Sequence, residues 1–465
     1  MLFSTPAFFA FFAIYFVCHV LTPLRYRNLL IIAGSIFFYA YWNPYYLWVP
    51  ILLIAVSFGG ALLIDATQSA QQRRSRLILT IMLLLVPLLC VKYTNFIWDS
   101  VASLFTDLNA PLVDWSLPLG ISFITFTVIA YVVNVYKGSF PVEKSLSRMS
   151  AYVLFFPHLI AGPILRPHEL IPQLNKPRRA LDGRFVLGIS IFTIGLVKKL
   201  VFADQLAVFV EKVYAGQEVL HGLDYVLALY GFSLQIFCDF SGYTDMAIGI
   251  AMVIGVRLPN NFHRPYSAVS LVDFWRRWHV TLSRWLRDYL YIFLGGNRRG
   301  FSRQVGAIIV TMVLGGLWHG ASWTFALWGL AHGLGIVFSH AMRRLKVFEW
   351  LVAVPRWMKI FLTFHFVTLA WVFFRAPDMA TAMRVFAGPF MGQWSGLGEA
   401  ASLNAFPLLL LGVFLLTHGI DGHARIRWAL GRVSVVVVWP ALLALWTLAI
   451  TISAGSSAKF IYFDF

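Results

Sequence analysis

Apolar residues follow one another along this 465-residue chain in stretches of about 20, separated by short polar links. A helix of about 20 residues crosses the ~30 Å hydrocarbon core of a bilayer, whereas a β-barrel needs alternating strands of about ten residues, which the sequence lacks. The pattern therefore predicts an all-α polytopic membrane protein with about eleven or twelve spans. Because no fixed-period repeat and no soluble module interrupts it, we expect a single domain over residues 1–465.

Two stretches depart from simple spans. Residues 149–165 are short, contain Pro157 and Pro163, and have basic residues on both sides, which favours a re-entrant element over a crossing. No Asp, Glu, Lys or Arg occurs between Arg303 and Arg343, a gap that is too long for one span and is interrupted by glycines. This second stretch predicts two broken helices.

The composition, 59% apolar and only 12% charged, excludes a soluble globular fold. The 37 Lys and Arg residues outnumber the 20 Asp and Glu residues and give a net charge of +17. In a soluble protein that excess would suggest nucleic-acid binding, but in a membrane protein it indicates basic loops on the cytoplasmic side. We therefore expect membrane lipid, and no nucleic acid, as the surroundings of this chain.

The basic loops also predict an orientation in the membrane, with both termini on the periplasmic side. The loops expected on the cytoplasmic side share a high content of Lys and Arg and lie at 25–27, 73–76, 137–148, 166–184, 257–303, 343–359 and 425–432. The first apolar run, residues 2–21, has no basic segment before it and no small-residue cleavage site. We interpret it as a retained span and not as a signal peptide.

Residues 271–292 have the periodicity of an amphipathic helix, with aromatic and leucine side chains on one arc and arginines opposite. We expect this helix to lie at the cytoplasmic interface, with His279 at the edge of its apolar arc. One interpretation is a structural belt whose guanidinium groups remain in water. The other is that arginines such as Arg276 and Arg277 bind the phosphates of a cytosolic donor, because a guanidinium fork fits phosphate oxygens.

His319 is the candidate catalytic residue of the charge-free stretch. It lies sixteen residues past Arg303, about 24 Å from the cytoplasmic flank at helical rise. A neutral imidazole at that depth can accept a proton from an alcohol, and the neighbouring glycines permit close approach. The alternative is a histidine that only donates a hydrogen bond to another helix. Polar residues inside a membrane are costly and tend to be functional, which favours the catalytic interpretation.

Four further charges interrupt apolar runs, namely Lys198, Lys199, Asp239 and Asp245. Each would cost about 2.5–3.5 kcal/mol on insertion scales if it were unpaired, so we predict that a lysine of this set neutralises an aspartate. A structural ion pair is the first interpretation, and a proton or ion path is the second. No metal site is expected, because the three cysteines are far apart and no Cys/His ligand spacing occurs.

Seven motifs in one order give the chain a family resemblance. They are FFPHLIAGPILRP (155–167), CDFSGYTDMAIG (238–249), NFHRPY (261–266), DFWRRWHVTLSRWLRDYLYIFLGGNRRG (273–300), GLWHGASWTFALWGLAHG (316–333), WVFFRA (371–376) and the closing FIYFDF. Together they resemble the membrane-bound O-acyltransferase family, and most closely its bacterial branch, which acts on polysaccharides such as alginate. The resemblance extends over nearly the whole chain.

This resemblance implies a many-helix membrane fold with a tunnel, located in the bacterial inner membrane. The hallmark histidine of the family matches His319, and its second polar position matches His279. The implied donor is cytosolic acetyl-CoA, with no permanently bound cofactor. The acetyl group is expected to leave on the periplasmic side through an SGNH-type partner that modifies an exopolysaccharide of alginate or cellulose type.

Chemistry and resemblance together predict an O-acetyltransferase. His319 is expected to act as general base or as a transient acyl carrier, and His279 to position the thioester or the acceptor. Trp275, Trp278 and Trp318 are expected to line the passage. The alternative from another class is a transporter or flippase for an acyl group or a lipid-linked sugar, with the buried charges as coupling sites. A third possibility is a structural subunit of an exopolysaccharide synthase.

Overall fold

The computed structural model describes residues 1–103, 116–175, 184–216, 220–344, 354–395, 397–453, 458 and 460–463. Helices account for most of this part of the chain. No strand occurs within the described ranges, apart from an isolated bridge between His221 and Gln393. The all-α prediction is confirmed.

The chain divides into two compact units. The first consists of Met1–Phe192, Ala247–Pro259 and Tyr462–Phe465, and the second of Thr193–Met246 and Asn260–Ile461. The helices that lie wholly or mainly in the first unit are α1 (Pro6–Leu21), α2 (Arg27–Ala40), α3 (Trp48–Asp65), α4 (Ala70–Ala102), α5 (Ile121–Tyr136), α6 (Leu146–Leu154), α7 (Phe156–Leu159), α8 (Pro167–Asn175) and α9 (Phe185–Val197).

The second unit holds the longer part of the buried helix α11 and all candidate site residues. Its helices are α10 (Asp204–Ala215), α11 (Gly222–Val253), α12 (Leu271–Trp275), α13 (Val280–Trp285), α14 (Phe301–His319), α15 (Trp323–Arg344), α16 (Arg356–Arg375), α17 (Met379–Met391), α18 (Leu397–Leu403), α19 (Ala405–Thr417), α20 (His423–Leu430) and α21 (Val435–Ser453). A π-helical segment, Lys198–Ala203, joins α9 to α10.

Eight helices in the described part of the chain are long and apolar enough to cross a membrane, or nine if the bent pair α19–α20 is one span. Two shorter apolar helices, α1 and α5, have 16 residues each and reach about 24 Å. The total reaches eleven, the lower end of the predicted range, only if the bent pair and both of these helices also cross.

The stretch at 149–165 contains no helix that is long enough to cross a bilayer. α6 has 9 residues and α7 has 4, and the chain turns between them at Phe155. The amide of Phe156 donates to the Ser35 hydroxyl on α2 at 3.1 Å, so this broken element is tied to a longer helix of the same unit. Its short pieces agree with the predicted non-crossing element.

The charge-free stretch forms two helices, α14 and α15, as predicted, and glycines let them pack closely. A Cβ atom added at Gly316 would lie 2.2 Å from the carbonyl oxygen of Phe325, and one added at Gly329 would lie 2.3 Å from that of Met312. Only a glycine fits either position, because a side chain would collide with the backbone of the neighbouring helix. This close approach places the end of α14, where His319 lies, beside α15.

Candidate active site

The prediction of a continuous amphipathic helix over 271–292 is wrong. The segment is broken into α12, α13 and a π-helical turn at Leu286–Tyr291, with His279 between the first two at a φ of 41°. Its apolar arc packs inside the protein, where Trp278 is only 1% exposed. The chain breaks here because tertiary hydrogen bonds replace the helical ones, and side-chain periodicity carries no signal for those bonds.

Asn261 supplies the bonds that end this helix and start the next. Its Oδ1 atom accepts from the amide of Thr281 at 3.2 Å and from the Thr281 hydroxyl at 2.9 Å. Its main-chain carbonyl accepts from the amide of Val280 at 2.9 Å. The Val280 amide, the first of α13, thus has its hydrogen-bond acceptor outside the helix. This bond holds His279 in the left-handed conformation.

The same asparagine fixes the tautomer of His279. The Nδ1 atom of His279 lies 3.2 Å from Asn261 Oδ1. The Thr281 amide also donates to this atom, so it is the oxygen of the Asn261 side chain and not its nitrogen. Nδ1 is therefore the donor, and a neutral ring carries its lone pair on Nε2. Burial lowers the pKa of His279 to about 3, so the ring is neutral at pH 7.

His319 is the last residue of α14 and is 2% exposed. The extended conformation of Gly320 ends the helix directly after it. Three aromatic rings surround the imidazole, with centroids 4.9 Å away for Trp318, 5.2 Å for Trp328 and 5.2 Å for Phe374. The histidine thus lies at the end of α14 opposite Arg303, in an apolar setting.

Trp318 brings the two histidines that the sequence singled out into one cluster. Its ring centroid is 6.3 Å from that of His279 and 4.9 Å from that of His319. Phe240, on α11, closes the other side of His279 at 4.6 Å. Residues separated by forty positions in the sequence therefore share one tryptophan.

A third histidine, His332, belongs to the same cluster and was missed by sequence reasoning. It is fully buried, and its Nδ1 accepts from the indole N–H of Trp275 at 3.3 Å. Trp328 lies between it and His319, with ring centroids 4.9 Å and 5.2 Å away. Its position in the motif GLWHGASWTFALWGLAHG was the only available signal.

The tryptophans predicted to line a passage have different positions. Trp275 lines a cavity of about 580 Å³. Trp278 instead packs in an aromatic core, with ring centroids 5.6 Å from Phe274 and 4.9 Å from Trp371. Trp318 lies between the two candidate histidines.

The cavity beside Trp275 is basic. Arg276, Arg284 and Arg287 line it together with polar residues of α14 and α15. Arg277, the other arginine expected to bind a donor, is not part of that lining and pairs with Asp273 at 2.9 Å. The arrangement offers guanidinium groups to an anionic ligand at the end of the broken segment.

The buried lysines are paired with aspartates, as predicted. Lys198 lies 2.9 Å from Asp245, and Lys199 lies 2.8 Å from Asp239. The structure adds two acids that the sequence analysis did not include, Asp421 at 2.9 Å from Lys198 and Asp204 at 2.7 Å from Lys199. Adjacent residues of a helix point in different directions, so each lysine reaches its own pair of carboxylates.

Comparison with known proteins places these residues in a family context. The model of the membrane-bound O-acyltransferase family matches residues 142–376, which include both candidate histidines. A protein of Azotobacter vinelandii named probable alginate O-acetylase is 40% identical over 90% of this chain and 85% of its own length. The peptidoglycan O-acetyltransferase of Helicobacter pylori is 37% identical over 83% of this chain and 79% of its own.

The name of a more distant relative refers to a different acyl group. The teichoic acid D-alanyltransferase of Bacillus subtilis is 29% identical over 55% of this chain and 68% of its own length.

Proposed function

The chain belongs to the membrane-bound O-acyltransferase family and is a multi-pass membrane O-acyltransferase, and from that premise we propose that its acyl group is acetyl, taken from cytosolic acetyl-CoA. The acetyl group crosses the bacterial inner membrane for O-acetylation of an exopolysaccharide of alginate or cellulose type. The names of the alginate and peptidoglycan relatives support acetyl as the group and an extracellular polymer as the acceptor.

The observation that carries this proposal is the pair of buried histidines on one tryptophan. His279 and His319 both contact Trp318, in a cluster that is otherwise aromatic. Burial lowers the pKa of His279 and keeps its ring neutral, and general-base catalysis by His319 needs a neutral ring as well. A neutral imidazole in a dry setting is suited to taking the proton of a hydroxyl group.

In the proposed reaction an acceptor hydroxyl attacks the carbonyl carbon of the thioester while His319 takes the hydroxyl proton. A new ester C–O bond forms, the C–S bond breaks, and the departing thiolate recovers the proton from His319. General-base help of this kind contributes about 10²–10⁴-fold to the rate. If His319 instead carries the acetyl group briefly, the same proton balance applies over two steps.

His279 is assigned a positioning role. Its Nδ1–H is engaged by Asn261, so the side of the ring that carries Nε2 is the one that can accept a hydrogen bond from the acceptor hydroxyl or from an amide of the donor. Because the ring is held by a side chain and by the backbone at its own α13 boundary, its orientation is fixed before substrate arrives.

The donor phosphates are assigned to the basic cavity beside Trp275. Arg276 and Arg284 present guanidinium groups there, and phosphate is the anion that such forks bind in bidentate fashion. Arg287 also lines the cavity but pairs with Asp288 at 2.7 Å. Arg277, held by Asp273, contributes through the local charge and not through the lining.

The acceptor side requires a hydroxyl at the periplasmic face. We assign the final transfer to an SGNH-type periplasmic partner that works with the exopolysaccharide machinery, which is the route that the resemblance to the bacterial branch of the family implies. A transporter would move its substrate without cleaving the thioester, and this difference separates the two classes.

The test follows acetyl groups in cells that lack the native copy. We expect His319→Ala and His319→Asn to abolish polysaccharide acetylation, a loss of at least about 100-fold, while the protein stays in the membrane at a normal level. Asn keeps the hydrogen bonding but has no basic nitrogen to take a proton. His168, an exposed histidine of α8, supplies the control His168→Asn, which should remain active.

Release of free CoA from acetyl-CoA in membranes is the second measurement. Wild-type membranes should release CoA when the periplasmic acceptor system is present, and His319→Asn membranes should not. Full acetylation by His319→Asn would overturn the acid–base assignment and favour the transporter.

A further inference from the structure

A second polar cavity, of about 320 Å³, lies where the helix pair α19–α20 bends by 76°. It is built entirely from residues of the second unit and contains neither candidate histidine of the active site. Most of its lining is charged or polar, whereas the lining of the neighbouring cavities is mostly apolar. A polar cavity in a chain this apolar calls for a ligand or a counter-charge.

The charged groups of the inner wall are paired with one another. Lys198 contacts Asp245 and Asp421, each at 2.9 Å. His423 lies between Asp245 and Asn260, with its ring nitrogens 2.7 Å and 2.8 Å from their oxygen atoms. These contacts use the carboxylates of the lining, so they are not available to basic groups at the rim.

The rim carries two arginines that point at one atom. A guanidinium nitrogen of Arg264 donates to the carbonyl oxygen of Gly419 at 3.1 Å, and a guanidinium nitrogen of Arg425 donates to the same oxygen. Within the described part of the chain neither guanidinium has a carboxylate within 4.0 Å. Two like charges that converge on a single carbonyl repel each other, and an anion between them would remove that repulsion.

The backbone at the rim also has an unusual conformation. Arg264 has φ 49° and ψ 63°, a left-handed conformation that side chains with a Cβ atom rarely adopt. It directs the guanidinium to the bend between α19 and α20. Both arginines are exposed, so a ligand can reach them.

We propose that this cavity binds a phosphate group between Arg264 and Arg425. The lysine, the two arginines and the two aspartates of the lining sum to +1. Guanidinium groups bind phosphate oxygens in bidentate fashion and are matched to its charge. The phosphate belongs either to the head group of an anionic phospholipid or to a soluble phosphate compound such as CoA. This site is separate from the acyl-transfer proposal and does not depend on it.

The experiment measures thermal unfolding of the full chain in detergent micelles. Three probes are titrated, namely inorganic phosphate, dioctanoyl phosphatidylglycerol and CoA, since a ligand that binds the folded state raises the unfolding temperature in a saturable way. We expect Arg264→Gln/Arg425→Gln to weaken the apparent affinity for at least one probe by about tenfold or more. Arg264→Lys/Arg425→Lys keeps the charge but not the guanidinium fork, and should weaken the apparent affinity by several-fold.

The matched control is Arg427→Gln/Arg432→Gln, which removes two exposed charges from the same segment but not from the cavity lining. Its affinities should stay within about twofold of the wild-type values. If only the affinity for phosphatidylglycerol depends on Arg264 and Arg425, the ligand is a lipid head group. If only the affinity for CoA depends on them, the ligand is a soluble phosphate compound. The proposal would be overturned if the two Gln double variants lost equal affinity for the probes. It would also be overturned if the affinity for no probe depended on the cavity arginines.

Discussion

At the scale of single residues, one asparagine determines both the conformation and the tautomer of His279. Asn261 Oδ1 accepts from the Thr281 amide, from the Thr281 hydroxyl and from the ring Nδ1–H, so its replacement would remove three hydrogen bonds of buried groups. Each unsatisfied buried donor costs about 1–3 kcal/mol. The left-handed φ of 41° at His279 is retained because these bonds compensate for it.

The lowered pKa of His279 predicts a stability that depends on pH. The pKa of the histidine is 6.5, its ordinary value, in the unfolded state and about 3 in the folded state, so between these values the unfolded state binds more protons. Stability should be complete above pH 6.5 and decrease as the pH falls, by about 2 kcal/mol at pH 5 from this residue alone.

Thermal unfolding in detergent at pH 7 and pH 5 checks this expectation for wild type and His279→Gln. The glutamine variant should lose less stability on acidification, because it has no ring to protonate. An identical loss in both proteins would contradict the assignment of this pH dependence to His279.

At the scale of elements, the contact between α14 and α15 positions the candidate catalytic histidine. His319 ends α14, and Trp328, one of the rings around it, belongs to α15. Since Gly316 and Gly329 allow backbone to meet backbone, the spacing of these helices fixes where the histidine lies relative to its aromatic neighbours.

Gly316→Ala should therefore reduce activity by displacing α14. The added Cβ atom would meet the Phe325 carbonyl at 2.2 Å, a distance that forces the helices apart. We expect acetylation to fall by about tenfold or more, because small displacements of catalytic groups are costly. Gly306→Ala, on the same helix with no atom within 4 Å of its added Cβ, is the control and should remain active. Normal activity of Gly316→Ala would show that the helix spacing is not required.

At the scale of the whole molecule, the charge distribution sets the expected orientation in the membrane. The excess of Lys and Arg over Asp and Glu gives +17, and the basic residues concentrate in a few loops. Where the loops are short, the retention of those rich in Lys and Arg on the cytoplasmic side is the strongest determinant of how a protein is oriented in the membrane. The basic cavity at Arg276 and the polar cavity at Arg264 both use residues of the 257–303 loop region, which is expected to face the cytoplasm.

Cysteine labelling tests this orientation. The native Cys18 and Cys90 are exposed and are replaced first, together with Cys238. A single cysteine at position 74 should react with a membrane-impermeant reagent only after the membrane is opened, because the 73–76 loop is expected in the cytoplasm. Labelling in intact spheroplasts would contradict the predicted orientation, whereas a mismatch at the C-terminus alone would mean that one span was miscounted.

The sequence by itself determined the class of the protein and the residues that attract attention. Apolar runs of helical length predict membrane helices because bilayer thickness and helical rise are fixed quantities. The charge-free stretch around His319 predicts two helices, and the cost of buried charge predicts that Lys198 and Lys199 pair with aspartates. Each of these inferences depends on local composition, which the sequence displays directly.

Only the tertiary structure decided how these residues meet. The break at His279 depends on Asn261, eighteen residues away, and Asp421, which pairs with Lys198, lies 223 residues further along the chain. His332 and the convergence of Arg264 and Arg425 are equally invisible to periodicity. The physical reason is that hydrogen bonds and ion pairs between distant segments depend on backbone paths, whereas a hydrophobic pattern records only which face of a segment is apolar.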